Sequence, residues 1–226
     1  MKRTLSAALI SVASLCLSVT AIAADAFTNY GPSGAYDSAP GDSWLIGGPG
    51  GGLQSIAEQF TSEVSGSLDS VTMSLGYGSG GTTWVASLRN DNGADNVGLT
   101  TFTSWTFTFA APTSTGGGTT TLPYAGPPIS LLAGTKYWVA VVAGSDDLSG
   151  AWFWNSTGDG APVYRARQSF SLDGGVTWTN FFTAPRAVFK VSVVPEPATT
   201  TVLAIGLAEL ALRRKRRRSL MLWDSR

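Results

Sequence analysis

Apolar residues in the middle of this chain recur at every second position and nowhere with the spacing of a helix. Val71, Met73 and Leu75 alternate with Thr72 and Ser74, and Trp84, Ala86 and Leu88 repeat the pattern. Trp105, Phe107 and Phe109 alternate with Ser104, Thr106 and Thr108. A period of two sends successive side chains to opposite faces of an extended backbone, so each run reads as a strand with one buried face. Residues 137–142 are apolar on both faces, the pattern of a central strand. Further strands are expected at 56–61, 152–154, 163–167, 169–172 and 187–193, with an edge strand around Trp44. Turn chemistry such as Asn90-Asp91-Asn92-Gly93 separates the runs. The stretch 113–121, with three consecutive glycines, reads as a flexible surface loop. The expected fold class is all-β: a single jelly-roll-like antiparallel β-sandwich over residues 53–194, behind a Gly/Pro-rich lead-in at 24–52.

Both ends of the chain differ from this middle. Lys2-Arg3, an apolar stretch from residue 5 to 19 and Ala21-Ile22-Ala23 have the order of a signal peptide over residues 1–23, in helical form. Cys16, the one cysteine, would leave with it, so no disulfide can staple the domain and its core must hold it together. At the other end stand Pro195, Glu196 and Pro197, then an apolar run at 198–212, then Arg213, Arg214, Lys215, Arg216, Arg217 and Arg218. The two prolines cannot continue a strand, the apolar run forms a short hydrophobic helix, and the basic cluster acts as a topology stop that stays cytoplasmic. Residues 219–226 form a C-terminal extension. The formal charge of zero conceals an asymmetry. Residues 24–194 hold six basic and twelve acidic side chains, a net charge of −6. An acidic domain offers phosphates no basic face, so nucleic acid is not an expected partner.

The order Pro195-Glu196-Pro197, apolar span, basic cluster resembles the PEP-CTERM sorting signal. That resemblance implies export through the inner membrane of a Gram-negative bacterium by the secretion machinery, transient membrane insertion and processing by an exosortase. It also implies a final place at the cell surface or in an extracellular polysaccharide matrix. The middle of the chain is similar to the exported domains called choice-of-anchor R. The matching residues are Leu68-Asp69-Ser70-Val71, Leu131-Leu132-Ala133-Gly134-Thr135-Lys136-Tyr137-Trp138 and Asp173-Gly174-Gly175-Val176-Thr177-Trp178. The likeness spans roughly residues 56–193 and implies a sandwich fold and an address, with no activity attached. The tail departs from its family in three respects. Its span of 15 residues rises about 22 Å as a helix, short of a hydrocarbon core of about 30 Å. Glu209 interrupts the span, and residues 219–226 trail the basic cluster. These features suit a temporary anchor.

Few residues point to chemistry. Ser171, Asp173, Gly175, Thr177 and Trp178 fit the Asp-box pattern, which reads as a structural hairpin. Asp173 would accept bonds from its own turn, and Trp178 would pack back over it. The chain contains no histidine, which rules out Ser-His-Asp and Cys-His catalysis and histidine-ligated zinc. A glycosidase needs only two facing carboxylates, but none of Glu58, Glu63, Asp69, Asp146 and Asp147 lies in a context that marks it out, and most read as solvated strand ends and turns. No cofactor is expected. Calcium is the one candidate metal, through Asp91 and Asp95 with Asn92 and Asn96, or through Asp146 and Asp147 in a second loop. Trp84, Trp105 and Trp138 read as core. Trp44, Trp152 and Trp154 are left as candidate carbohydrate contacts, because indole faces stack on apolar sugar faces. The leading expectation is an exported, non-enzymatic surface or matrix protein. The alternatives are a carbohydrate-binding module and a cryptic glycosidase.

Overall fold

The computed structural model describes residues 22–39, 41–48, 53–155, 168–181 and 185–196. Outside them lie both expected flanking helices, Pro197, the basic cluster at 213–218 and the strand expected at 163–167. Among the described residues no helix is long and apolar enough to cross a membrane.

Among the described residues thirteen strands follow one another: β1 (Ala24–Thr28), β2 (Ser43–Gly47), β3 (Ser55–Thr61), β4 (Gly66–Ser79), β5 (Thr83–Asp91), β6 (Val97–Thr108), β7 (Gly118–Pro123), β8 (Ser130–Leu131), β9 (Lys136–Ala143), β10 (Ser149–Phe153), β11 (Gln168–Ser171), β12 (Thr179–Phe181) and β13 (Phe189–Val194). They form two antiparallel sheets packed as a sandwich. The first sheet is organised by β4. One flank of this 14-residue strand carries β13 and then β10 end to end, with β1 beyond β13 and β2 beyond β10. The opposite flank carries β8 and β7. The second sheet runs in the order β12-β11-β3-β9-β5-β6.

The core lies between the sheets. The alternating residues meet there: Val71, Met73 and Leu75 from β4, Trp84, Ala86 and Leu88 from β5, and Val139 and Val141 from β9. Phe60 and Phe189 add an edge-on ring contact across the gap, with centroids 5.9 Å apart. Rings arranged this way bury large area without a strained rotamer. Trp84 is fully buried and its Nε1 donates to Phe109 O at 3.0 Å, which satisfies the one polar atom it brings inside.

Two segments differ from their sequence reading. Residues 118–121, expected within the loop 113–121, instead begin β7, which pairs with β4. Gly116 and Gly117 supply the turn with φ of +82° and +65°, and the following threonines pair with a polar stripe on β4. Thr121 and Thr72 share a hydroxyl bond of 3.0 Å, and Thr119 and Ser74 one of 3.3 Å. β-branched residues suit a pleated surface once a partner strand exists, and no apolar alternation is needed to recruit them. The start of the lead-in likewise becomes β1, in register with β13 from Ala24↔Val193 to Thr28↔Lys190.

Where β10 crosses the core, a side chain is excluded. A Cβ at Gly150 would stand 2.2 Å from Trp84 Cη2 and 3.0 Å from Gly76 O. Gly150→Ala is expected to cost about 1–3 kcal/mol. Urea unfolding checks it through a lower midpoint at an unchanged slope.

Candidate functional site

The outer face of the first sheet is polar by alternation, yet much of it is buried. Ser70, Thr72 and Ser74 of β4 and Ser192 of β13 are each less than a tenth exposed. The segment after β1 folds back over them. Tyr30 reaches Ser74 with its hydroxyl at 2.9 Å, and Tyr36 donates to Gly116 O at 3.0 Å. Pro32–Gly34 forms a 3-10 turn there, with Ser33 at φ 57°. Between this strap and the sheet lies a groove of about 420 Å³. Its walls carry Thr28, Tyr30, Thr72 and Thr119, and its rim carries Asp25 and Lys190. Lys190 Nζ stands 3.7 Å from Asp25 Oδ1, which also accepts from Ser192 Oγ at 3.2 Å. Burial pushes the Tyr30 hydroxyl up to about 12, so it stays protonated and serves as donor or acceptor. Hydroxyls, one ammonium, one carboxylate and a phenol ring make a surface suited to a neutral polyol.

The tryptophans expected at a sugar site lie elsewhere. Trp152 is a correction: it is fully buried, because β10 runs between β4 and β2 and turns this side chain into the core. Its Nε1 donates to Val188 O at 2.8 Å and its ring meets Phe189 at 6.0 Å. Trp44 and Trp154 pack edge to face at 5.6 Å, both half-buried, with Trp44 Nε1 bonded to Pro185 O at 2.8 Å. Trp105 is half-buried at the flank, where its Nε1 reaches Pro123 O of the opposite sheet at 2.9 Å. Trp138 is fully buried, but on the outer face of the second sheet with Ala57, Ala140 and Trp178.

That outer cluster explains the candidate calcium residues. Asp91 Oδ2 accepts from Trp138 Nε1 at 3.0 Å and from Gln59 Nε2 at 2.7 Å, and its Oδ1 accepts from Gly93 N at 2.7 Å. Asp95 pairs with Lys136 and also accepts from Gln59 at 3.1 Å. Protein donors point at these oxygens from the places where a cation would stand, and among the described residues no group of three acidic, histidine or cysteine side chains gathers for a metal.

The Asp-box residues close the turn between β11 and β12. Asp173 accepts from Ser171 Oγ at 2.6 Å, from Thr177 Oγ1 at 2.6 Å and from the backbone N–H groups of Val176 and Thr177 at 3.1 and 2.9 Å. Gly174 and Gly175 take φ of +72° and +85°. These bonds hold the Asp173 carboxyl down at about 2. Arg89 stacks over Trp178 at 6.0 Å, tying the hairpin to β5.

Glu58 corrects the expectation of solvated acids. It is fully buried, between Ile56 and Phe60 on the inward face of β3. Gln168 Nε2 donates to its Oε1 at 2.7 Å and Ala187 N at 2.8 Å, and Arg186 Nε stands 3.6 Å from its Oε2. Arg186 also bonds Gln59 O and lies 4.8 Å over the Phe27 ring. The alternation Ile56, Glu58, Phe60 was the signal that placed this acid inside. Its full burial bars it from meeting a substrate.

Pro195 ends β13, and Glu196 follows as exposed coil whose Oε1 accepts from Ser130 Oγ at 3.4 Å.

No family model matches the chain, and no curated protein matches it. Among solved structures it is similar to a chain of infectious bursal disease virus, Gx strain, at 12% identity and a TM-score of 0.26. The likeness covers 87% of this chain and 47% of that one, so this chain spans about half of its neighbour's length. A likeness of that depth carries no argument about function.

Burial raises the Glu58 carboxyl to about 7 against the pull of Arg186. An acid raised in the fold contributes stability below its ordinary value of 4.5 and loses it as pH climbs through 7. Unfolding free energy is therefore expected to fall by up to about 3 kcal/mol between those pH values, and Glu58→Gln to flatten that slope. Denaturant melts at a series of pH values check both. Asp173 acts with the opposite sign: its contribution is present above 3.8 and lost as pH falls through about 2.

Proposed function

We propose that this chain is an exported, non-enzymatic domain carried to the cell surface or matrix by a PEP-CTERM-like signal and released from a temporary anchor by an exosortase. In this reading the two-sheet body is a jelly-roll-like domain of the choice-of-anchor type. One observation carries the proposal. β1 pairs with β13, so Ala24 lies opposite Val193 and both junctions with the sorting segments leave from one end of the sandwich. Pro195 and Glu196 stand there as coil just after the last strand, where a membrane protease can reach the backbone without unfolding the sheet. The remaining surface then faces away from the membrane.

The acidic side chains support the non-enzymatic part. Glu58 is sealed, Asp91 and Asp95 are held by protein donors, Asp173 closes a turn, and the groove is lined by the single carboxylate of Asp25. A glycosidase would need a second acid across from it.

A second reading, carbohydrate binding, rests on the groove in place of Trp152. Asp25 and Lys190 would hold sugar hydroxyls at its rim, and the Tyr30 ring would line its wall.

Two experiments test these readings. With Pro195, Glu196 and Pro197 all changed to Ala, the full-length chain is expected to accumulate in the membrane fraction while wild type reaches the medium. Equal release of both would contradict processing at this motif. In affinity electrophoresis through the host's own polysaccharide, wild type is expected to be retarded and Lys190→Ala to lose most of that retardation. Trp154→Ala should behave as wild type, and free migration of wild type would end the binding reading.

A further inference from the structure

The chain holds no Asp, Glu, Lys or Arg from residue 97 through residue 135. The fold gathers that stretch on one flank. β6 is the last strand of the second sheet, β7 lies along the free side of β4 in the first, and Trp105 bonds Pro123 across the gap between them. The outer edge of β6 has no strand partner among the described residues. It is 12 residues long and lacks proline and charge, the two devices that most often keep an edge strand from pairing with another chain. Leu99 is 92% exposed and Phe102 40% exposed along it. Bulges break the register only at its beginning. From Thr103 to Thr108 β6 runs against β5 without interruption, which leaves a straight row of N–H and C=O groups on the other side.

We propose that this edge is a self-association site, at which the β6 strands of two copies of the chain pair antiparallel across a two-fold axis, centred within residues 103–108. Three observations select a second copy as the occupant. An antiparallel edge is its own complement, since rotation about a two-fold sets its donors against the partner's acceptors. The domain carries −6 overall, from six basic and twelve acidic residues, so two copies repel when other faces approach and meet this flank without like-charge cost. Pairing there would join two six-stranded sheets into one and leave neither copy with an open edge on this flank. The inference is independent of the sorting and carbohydrate readings.

The test uses the protein as recovered from its host, held in mild detergent to keep any apolar tail from driving association. Sedimentation equilibrium across a wide concentration range is expected to show a monomer–dimer equilibrium. Ser104→Lys with Thr106→Lys places like charges across the seam on two exposed positions and is expected to weaken the dimer at least about tenfold, with an unchanged melting temperature. Amides of residues 103–108 are expected to exchange more slowly as wild-type concentration rises. A wild-type monomer at all concentrations, or association that ignores the two lysines, would overturn the proposal. So would exchange in 103–108 that is independent of concentration.

Discussion

The ladder of β4 is the constraint on which the rest of the structure depends. At 14 residues it is longer than any strand it touches, and it hydrogen-bonds to β13, β10, β7 and β8. Each remaining strand of that sheet, β1 and β2, is one step away from it. β4 also contributes to both surfaces of its sheet. Its Val71, Met73 and Leu75 build the core, while Ser70, Thr72 and Ser74 lie on the opposite face, where Thr72 lines the groove. In a domain with no disulfide, a central strand that unites four others supplies the long-range connectivity that cross-links would otherwise give.

Polar burial is the second theme. Glu58 and Arg186 bring an acid and a base into the interior, where for Glu58 the cost of leaving water exceeds the attraction of its partner. Their value lies in position. Glu58 Oε1 accepts from Gln168 of β11 and from the backbone of Ala187, and Arg186 caps a carbonyl of β3, so three distant segments are set at one point. This cluster fixes how the strand leading to the tail enters the first sheet. On the outside, the strap of residues 28–36 gives the same sheet a concave face, and the uncharged flank gives the second sheet an open edge. The two surfaces are chemically distinct: one carries hydroxyls and a single ion pair, the other backbone and apolar groups.

The strands were the legible part of the sequence, because alternation of Val, Leu and Trp with Thr and Ser reports one-sided burial directly. Trp152 was misread because a run such as Trp152-Phe153-Trp154 does not reveal that both faces of its strand are covered. Phe153, on the opposite face, packs against Tyr36 at 5.8 Å. Trp138 reads as core and is buried, but beneath Trp178 of the β11–β12 turn and Asp91 at the end of β5, whose arrival no local pattern announces. Glu58 shares the inward parity of Ile56 and Phe60, but buried acids are rare enough that alternation alone does not carry a carboxylate inside. β7 escaped notice because its threonines carry no apolar alternation and only the presence of β4 makes them a strand. The groove left no local trace, since Tyr30 and Ser74 meet across 44 positions of chain.

In the proposed reading the sandwich is a passenger whose two ends leave together, since Ala24 lies opposite Val193, and its tail is a temporary anchor. An apolar run of 15 residues interrupted by Glu209 fits that reading better than permanent anchorage. The most direct measurement is the intact mass of the chain recovered from the medium. A polypeptide beginning near Ala24 and ending near Pro195–Pro197 is expected. Soluble extracellular protein that retains residues 213–226 would contradict it.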